Sequence, residues 1–237
     1  MNPNTTRSAR PIPLALTALV ALFSGLAALA FSGGMDMAQA HGNAPHHPAK
    51  HSQPAALTSK AVAFRMDMRK LWEDHITWTR MAIIGLEEGT PDADASVARL
   101  LRNQVDIGNA VKPFYGKAAG NALTGLLRDH ILIAADVIAA AKAGDQTQLA
   151  YAQARWIDNA DQIAAGLHRL NPRFWKLREM KAEMHRHLEL TTQEAVARLQ
   201  HDWTGDVAAY DRVHLHILHM ADMLSTGIIA QFPGRFR

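Results

Sequence analysis

The side chains of this chain best suited to chemistry are its histidines, of which there are 13 among 237 residues. Several of them fall on the apolar face of a predicted helix, where a polar side chain needs a partner. The predicted interior histidines are His75, His130, His187 and His214. Imidazole binds zinc, copper, iron and nickel ions. The pattern therefore predicts a transition-metal site inside the protein.

Two acidic residues share these helix faces and are the predicted carboxylate partners of the imidazoles. Glu183 lies on the same stripe as His187, and Asp211 precedes His214 by three residues. The ligand signatures of di-iron carboxylate bundles and of hemerythrin-type bundles are both incomplete, because each lacks its second motif. The predicted cofactor is therefore a zinc, copper or iron ion, and the motifs do not decide among them.

The same histidines also fit a structural interpretation. A buried imidazole is often hydrogen-bonded to Asp, Asn or a backbone carbonyl and then fixes helix pairing. The alternative hypothesis is a non-catalytic interaction or scaffold module of the cell envelope. A metal-dependent enzyme is a third, less favoured hypothesis. The sequence contains no phosphate loop, nucleophile elbow or nucleotide fingerprint, so no catalytic residue is predicted.

The spacing of apolar residues predicts an all-α protein. From Lys60 onward these residues recur every three or four positions, which is the period of one helix face. Breaker residues divide this region into six predicted helices: 62–88, 92–112, 118–143, 146–170, 174–200 and 204–230. Six helices with short connections predict an antiparallel helical bundle over residues 60–237.

A short pattern recurs within these segments. Residues 71–75 (LWEDH), 126–130 (LLRDH) and 155–159 (RWIDN) each place Asp before a His or Asn on an apolar face. The recurrence suggests related helix hairpins and is too short to establish a duplication.

Residues 1–40 predict a signal peptide. Arg7 and Arg10 precede the uncharged stretch 11–31, and Ala38-Gln39-Ala40 ends the region as an A-x-A cleavage site. The alternative is an uncleaved membrane anchor formed by residues 11–31. We therefore expect export to the periplasm or the medium, membrane contact only if the segment stays uncleaved, and an envelope partner of unknown identity.

Residues 41–59 predict a disordered tether, because they are rich in proline and poor in apolar side chains. The tether contains four histidines, which could chelate a metal ion: His41, His46, His47 and His51. Cleavage after Ala40 would make His41 the amino terminus, where its amine and imidazole could bind copper together. The alternative is a flexible spacer without a ligand.

Composition excludes several classes of site. The chain has no cysteine, which rules out disulfides, thiolate metal sites and haem attachment through a C-x-x-C-H motif. Its formal net charge is +3, and the basic residues form no cluster. Nucleic acid is therefore not a predicted partner.

Longer motifs resemble those of one family. They are WEDHITWTR (72–80), LLRN (100–103), PFYG (113–116), NADQIA (159–164), HLELTTQEA (187–195) and YDRVHLHILHMADMLSTGIIAQFP (210–233). Through them the chain resembles a group of exported bacterial all-helical proteins without an established activity, over most of residues 66–233. The resemblance implies a helical fold and export, and it implies no reaction.

Overall fold

The computed structural model describes residues 57–237 and is all-helical over this range, without a strand. Its helices are α1 (Ser59–Glu88), α2 (Ala93–Ala143), α3 (Gln146–Leu170), α4 (Leu177–Leu199) and α5 (Trp203–Gln231), followed by a 3₁₀ turn (Pro233–Phe236). The predicted all-α fold is confirmed. The predicted signal peptide and tether histidines, including His41, lie outside the described residues.

The described residues form five α-helices and not the predicted six, because segments 92–112 and 118–143 are joined within α2. This helix changes direction at Gly116, which has φ 85° and ψ 168°. Such a backbone conformation is open to glycine and strained for any residue with a Cβ. We call residues 93–115 the first arm of α2 and residues 117–143 its second arm.

The two arms of α2 fold back on each other and lie antiparallel. Thr124 on the second arm donates to the carbonyl of Gln104 on the first arm at 3.5 Å. Closer to the bend, a Cβ placed on Gly108 would lie 2.7 Å from the carbonyl oxygen of Gly120. The arms therefore approach closely because glycine stands at both crossing positions.

Substitution of the bend residue provides a first prediction. Gly116→Ala should lower the free energy of unfolding by about 1–3 kcal/mol, because alanine is strained at this φ and ψ. Gly125→Ala is the matched control: a Cβ there meets no atom within 4 Å, and alanine favours the helix by about 1 kcal/mol. Urea unfolding measures both; equal effects of the two substitutions would contradict the account of the bend.

Helix ends follow ordinary capping chemistry at most of the predicted breaks. Gly89 and Gly144 terminate α1 and α2 with φ 70° each. The Asp145 side chain accepts from the backbone N–H of Gln148 at 3.0 Å, which caps the start of α3. The Asp92 side chain makes no such capping bond.

The helical segments form a closed ring around the core. Each segment packs against the next one along the chain, and α5 packs back onto α1. Arg65 donates to Thr226 at 2.7 Å and Arg69 to Asp222 at 2.8 Å across that closing interface. Residues distant in sequence therefore face one another across the centre of the ring.

The ring is built from three similar helix hairpins. The first is α1 with the first arm of α2, the second is the second arm with α3, and the third is α4 with α5. In each hairpin, a side chain of the second helix donates to a backbone carbonyl of the first helix. These bonds are Asn103 to Leu71 at 3.0 Å, Asn159 to Leu126 at 3.0 Å, and His216 to Glu183 at 3.1 Å.

Each of these acceptor carbonyls lies four residues before a buried histidine, namely His75, His130 or His187. The three histidines are 55 and 57 residues apart along the chain, so they occupy equivalent positions of a threefold repeat. The pattern at 155–159 is not a third copy of this position, because Asn159 belongs to the second helix of its hairpin.

Over residues 57–237, none of the helices has both the length and the apolar composition that crossing a membrane requires.

Candidate functional site

Three buried imidazoles meet at the centre of the ring. His75, His130 and His187 expose only 2%, 3% and 4% of their surface. The ring centroid of His187 lies 5.8 Å from that of His75 and 6.0 Å from that of His130. They meet because equivalent positions of the three hairpins all face the central axis. We call these three side chains the imidazole cluster.

The protonation of His130 is fixed by its neighbour on α3. Its Nδ1 lies 2.8 Å from Asn159 Oδ1. Asn159 Nδ2 in turn donates to the Leu126 carbonyl at 3.0 Å, which fixes the amide orientation. His130 therefore donates through Nδ1–H, and its buried Nε2 has no hydrogen-bond partner. Metal-binding histidines are usually held in this way, with one nitrogen bonded to the protein and the other free.

The amide of Gln104 is the polar neighbour of His75. Gln104 Nε2 lies 2.8 Å from the Leu100 carbonyl, 3.1 Å from Asn103 Oδ1 and 3.2 Å from His75 Nδ1. The two oxygen acceptors fix the amide orientation, because rotation would place Gln104 Oε1 against them. Gln104 therefore presents its amide nitrogen to His75 Nδ1, and the neutral ring carries its proton on Nε2. Gln104 Oε1 is buried without a partner.

His187 lies between the other two imidazoles and makes no side-chain hydrogen bond to them. Its Nδ1 is buried without a partner. The ring of His216 stacks on it with centroids 6.3 Å apart and an interplanar angle of 17°. The free nitrogens of His130 and His187 are thus unsatisfied polar atoms within the core, which a bound ion would satisfy.

Burial keeps the imidazole cluster neutral. Desolvation, with a smaller contribution from nearby His130, lowers the pKa of His75 to about 3. Desolvation likewise lowers the pKa of His130 to about 4. The pKa of His187 falls well below its ordinary value because of burial and then because of the adjacent histidines. At neutral pH all three rings therefore keep the lone pair that metal binding requires.

His214, the fourth predicted interior histidine, lies outside this cluster. Its Nε2 is 3.2 Å from Glu73 Oε1, and its ring stacks on Tyr210 with centroids 5.7 Å apart. His216, two residues further along α5, is the residue whose ring stacks on His187 of the cluster. Two residues correspond to a rotation of about 200° around a helix, so His214 points away from the side that His216 occupies.

The predicted carboxylates are also apart from the cluster. Glu183 Oε2 lies 3.7 Å from His216 Nδ1, and its Oε1 lies 3.8 Å from His219 Nε2 at the surface. Asp211 is exposed on α5. The cluster is therefore surrounded by imidazoles and amides. Among residues 57–237, no group of three or more His, Asp or Glu side chains stands ready, without movement, to hold an ion.

Gln104 and Asn103 complete the polar layer, and the sequence interpretation did not identify them. Gln104 is fully buried. It follows Leu100 by four residues and precedes Ile107 by three, so helical spacing already placed it on an apolar face. That spacing was the signal that could have found it.

A second buried polar group lies near the end of α1. Arg80 donates to Glu194 at 2.8 Å and to both carboxylate oxygens of Asp206, at 2.8 and 2.9 Å. Arg198 also reaches Asp206, at 3.3 Å. The Glu194 side chain is 0% exposed and that of Asp206 only 2%. We call Arg80, Arg198, Glu194 and Asp206 the ion cluster.

Glu87, beside the ion cluster, provides a prediction for pH dependence. Both of its carboxylate oxygens are buried without a partner. Burial raises its pKa to about 8, against an opposing effect of Arg198. In the unfolded chain the group ionises near pH 4.5. The native protein therefore loses stability through Glu87 as the pH rises from about 4.5 to about 8.

Glu87→Gln removes that titration. As the pH rises from 5 to 8, the free energy of unfolding of the variant should rise relative to that of wild type by at least about 1 kcal/mol. A single titrating group can change this difference by no more than about 1.4 kcal/mol per pH unit. Urea unfolding at both pH values measures the difference. Glu179→Gln, at an exposed position of α4, is the control. A pH-independent difference for Glu87→Gln would refute the account.

Comparison with protein-family models, curated proteins and solved structures found no match to the chain.

Proposed function

We propose that the protein is an exported helical bundle that binds one transition-metal ion at the imidazole cluster. The ligands are His75, His130 and His187. The observation that carries this proposal is the meeting of three neutral imidazoles from equivalent positions of three hairpins. Metal sites in helical bundles are built from side chains on facing helices in the same manner.

The distances within the cluster are close to those of a metal site. Metal–nitrogen bonds of about 2.0–2.1 Å in tetrahedral geometry bring two imidazole centroids to about 5 Å. The pairs here are separated by 5.8 and 6.0 Å. Rotations that shorten these two separations by about 1 Å, together with an approach of His75 and His130 to each other, would form the site. Such rotations would engage the buried nitrogens of His130 and His187, which now have no partner.

The neighbours of the cluster bear on the choice of metal. Its contacts are with amides and aromatic rings, while Glu183 and Asp211 lie elsewhere. Non-haem iron sites combine imidazole with carboxylate, whereas zinc and copper also bind sites made of imidazole alone. Among zinc, copper and iron, the arrangement favours zinc or copper.

The second candidate function is the envelope interaction module with structural histidines. It is supported by the bonds that His130 donates to Asn159 and that Gln104 donates to His75, which satisfy part of the cluster without a metal. This candidate leaves the two free nitrogens of His130 and His187 unexplained.

Thermal unfolding with added metal distinguishes the two candidates. The full chain should carry the changes H41A, H46A, H47A and H51A, which remove chelation by the tether. Its melting temperature should rise with the logarithm of free zinc or copper. His130→Gln should abolish the rise, while His201→Asn, at an exposed position of the chain, should retain it. A melting temperature that does not change with added zinc or copper would favour the candidate in which the histidines are structural.

Export is part of the proposal and rests on residues outside the described range. Cleavage after Ala40 would release a chain that begins with His41, with the tether histidines ahead of the bundle. Amino-terminal sequencing of the protein from the periplasmic fraction should therefore start at His41. Detection of the intact segment 11–31 in the membrane fraction would support the anchor instead.

A further inference from the structure

An apolar cavity of about 50 Å³ lies beside the imidazole cluster, towards the end of the bundle where α1, α2 and α4 end. Thr79, Ala134 and Thr191 line it. Each stands four residues, or one helical turn, after a histidine of the cluster. The cavity therefore begins one turn from the imidazoles, on the axis that the three hairpins share.

The threefold repeat explains why there is more space on this side of the cluster than on the other, where the cavity holds only about 20 Å³. Three residues before the histidines, the equivalent positions hold the bulky side chains of Trp72, Leu127 and Met184, all buried. Four residues after them, the equivalent positions hold the small side chains Thr, Ala and Thr. A layer of small side chains in a ring of fixed diameter leaves a void.

The lining of the cavity offers almost no polar group to a ligand. The Thr79 and Thr191 hydroxyls donate to the backbone carbonyls of His75 and His187 at 2.8 and 2.9 Å. Two polar atoms of the lining residues are buried without a partner, the Thr192 hydroxyl and Trp156 Nε1. Cavities of this kind stay dry and bind apolar molecules.

Further along the axis, Ile83, Ile138 and Ala195 pack together and line the cavity. Leu86 and Leu199 line it near the ends of α1 and α4, where both side chains are half-buried. A small molecule could therefore enter from this end of the bundle by displacing two leucine side chains.

We infer that the cavity binds a small uncharged molecule of about two heavy atoms, with dioxygen as the representative. A cavity of about 150 Å³ holds benzene, which has six heavy atoms, and this cavity has about one third of that volume. The apolar lining disfavours ions, because an ion would lose its hydration without compensation. Binding by the cavity itself does not depend on a metal.

A consequence for the metal site rests on the proposed function. An ion held by three imidazoles keeps a fourth coordination position. The cavity lies one turn from those imidazoles, so its occupant would be the exogenous ligand nearest to the ion. The cavity would then select small neutral molecules over anions at that position.

Xenon is the probe for the cavity. The metal-free full chain, labelled with ¹³C at threonine and alanine methyl groups, should show saturable shifts of Thr79, Ala134 and Thr191 as xenon pressure rises. Ala134→Leu should abolish the shifts of Thr79 and Thr191, and the smaller Ala134→Val should reduce them. Ala139→Leu, at an exposed position of the same arm, should leave them unchanged.

Absence of saturable shifts in the wild-type chain would overturn the inference, and so would shifts that persist unchanged in Ala134→Leu. The result is independent of the metal experiment. Xenon binding without any metal response would leave the cavity established and refute the proposed function. A melting temperature that rises with metal, without xenon binding, would support the proposed function and overturn the inference about the cavity.

Discussion

Below about pH 4.5 the metal-free protein should unfold steeply, with the uptake of about two to three protons per molecule. The imidazole cluster is the reason. Unfolded histidine takes up a proton near pH 6.5, whereas burial holds the pKa of His75 at about 3 and that of His130 at about 4. His187 is lowered in the same direction. The contribution of these three groups to the free energy of unfolding is largest above pH 6.5 and decreases as the pH falls below that value.

Two buried carboxyl groups act in the opposite direction at intermediate pH. The pKa of Glu87 is raised to about 8 and that of Glu194 to about 7, in both cases mainly by burial. Between about pH 6.5 and 4.5 the folded state therefore holds two protons that the unfolded state has lost. They offset two of the three histidine protons, so over this interval the stability should fall by about 1.4 kcal/mol per pH unit.

Below about pH 4.5 this compensation ends, because unfolded glutamate is protonated as well. The imidazoles are then protonated in the unfolded chain, and each one that is still neutral in the folded chain contributes up to about 1.4 kcal/mol per pH unit. Asp206 and Asp161, whose pKa values are lowered by Arg80 and Lys181 respectively, add to the loss. At this slope, a free energy of unfolding of about 5–15 kcal/mol falls to zero within a few pH units.

Urea unfolding at a series of pH values measures this proton uptake. In His187→Gln the uptake below pH 4.5 should be smaller by one proton. As the pH falls from 6.5 to 4.5, the free energy of unfolding of the variant should also rise relative to that of wild type, by up to about 1.4 kcal/mol per pH unit. His201→Asn should follow the wild-type curve. If His187→Gln follows it too, His187 is not a buried neutral imidazole.

Arg80→Met should lower the free energy of unfolding by about 3–5 kcal/mol, because it leaves buried carboxylates without their cation. Arg80 bonds both Glu194 and Asp206. Methionine retains the apolar stem, so lost packing contributes little. Arg198 still reaches Asp206 at 3.3 Å, while the variant removes the only arginine bonded to Glu194 within the described residues.

Arg69→Met is the matched control for this prediction. Arg69 pairs with Asp222 at 2.8 Å, but the two side chains are 43% and 34% exposed. Solvent-exposed pairs contribute about 1 kcal/mol or less. Chemical denaturation at pH 7 and low salt compares the two variants. A similar small loss from both would show that the ion cluster adds no more than a surface pair.

The helical fold could be predicted because periodicity and breakers act locally. Gly89 and Gly144 end α1 and α2 directly after the predicted segments 62–88 and 118–143, and Asp145 caps the helix predicted over 146–170. The number of helices was harder to predict. Pro113 and Gly116 indicated a break, yet helical structure continues around them, because one residue with positive φ is enough to reverse α2.

The candidate site could be predicted only in part. The seam positions of His75, His130 and His187 indicated buried imidazoles, and burial is what the structure shows. The order of helices around the ring decides which seams meet, and periodicity does not contain that order. For α5 the choice between His214 and His216 depended on the rotation of one helix. The carboxylates were assigned by proximity in sequence, which does not imply proximity in space.

X-ray absorption at the metal edge reports how many imidazole nitrogens bind an ion held at the imidazole cluster. The sample is the full chain with the tether changes H41A, H46A, H47A and H51A, loaded with one equivalent of copper or zinc. The account predicts one bound ion with three imidazole nitrogens at about 2.0–2.1 Å, and loss of stoichiometric binding in His187→Gln. Coordination mainly by oxygen, or the same spectrum from His187→Gln, would contradict it.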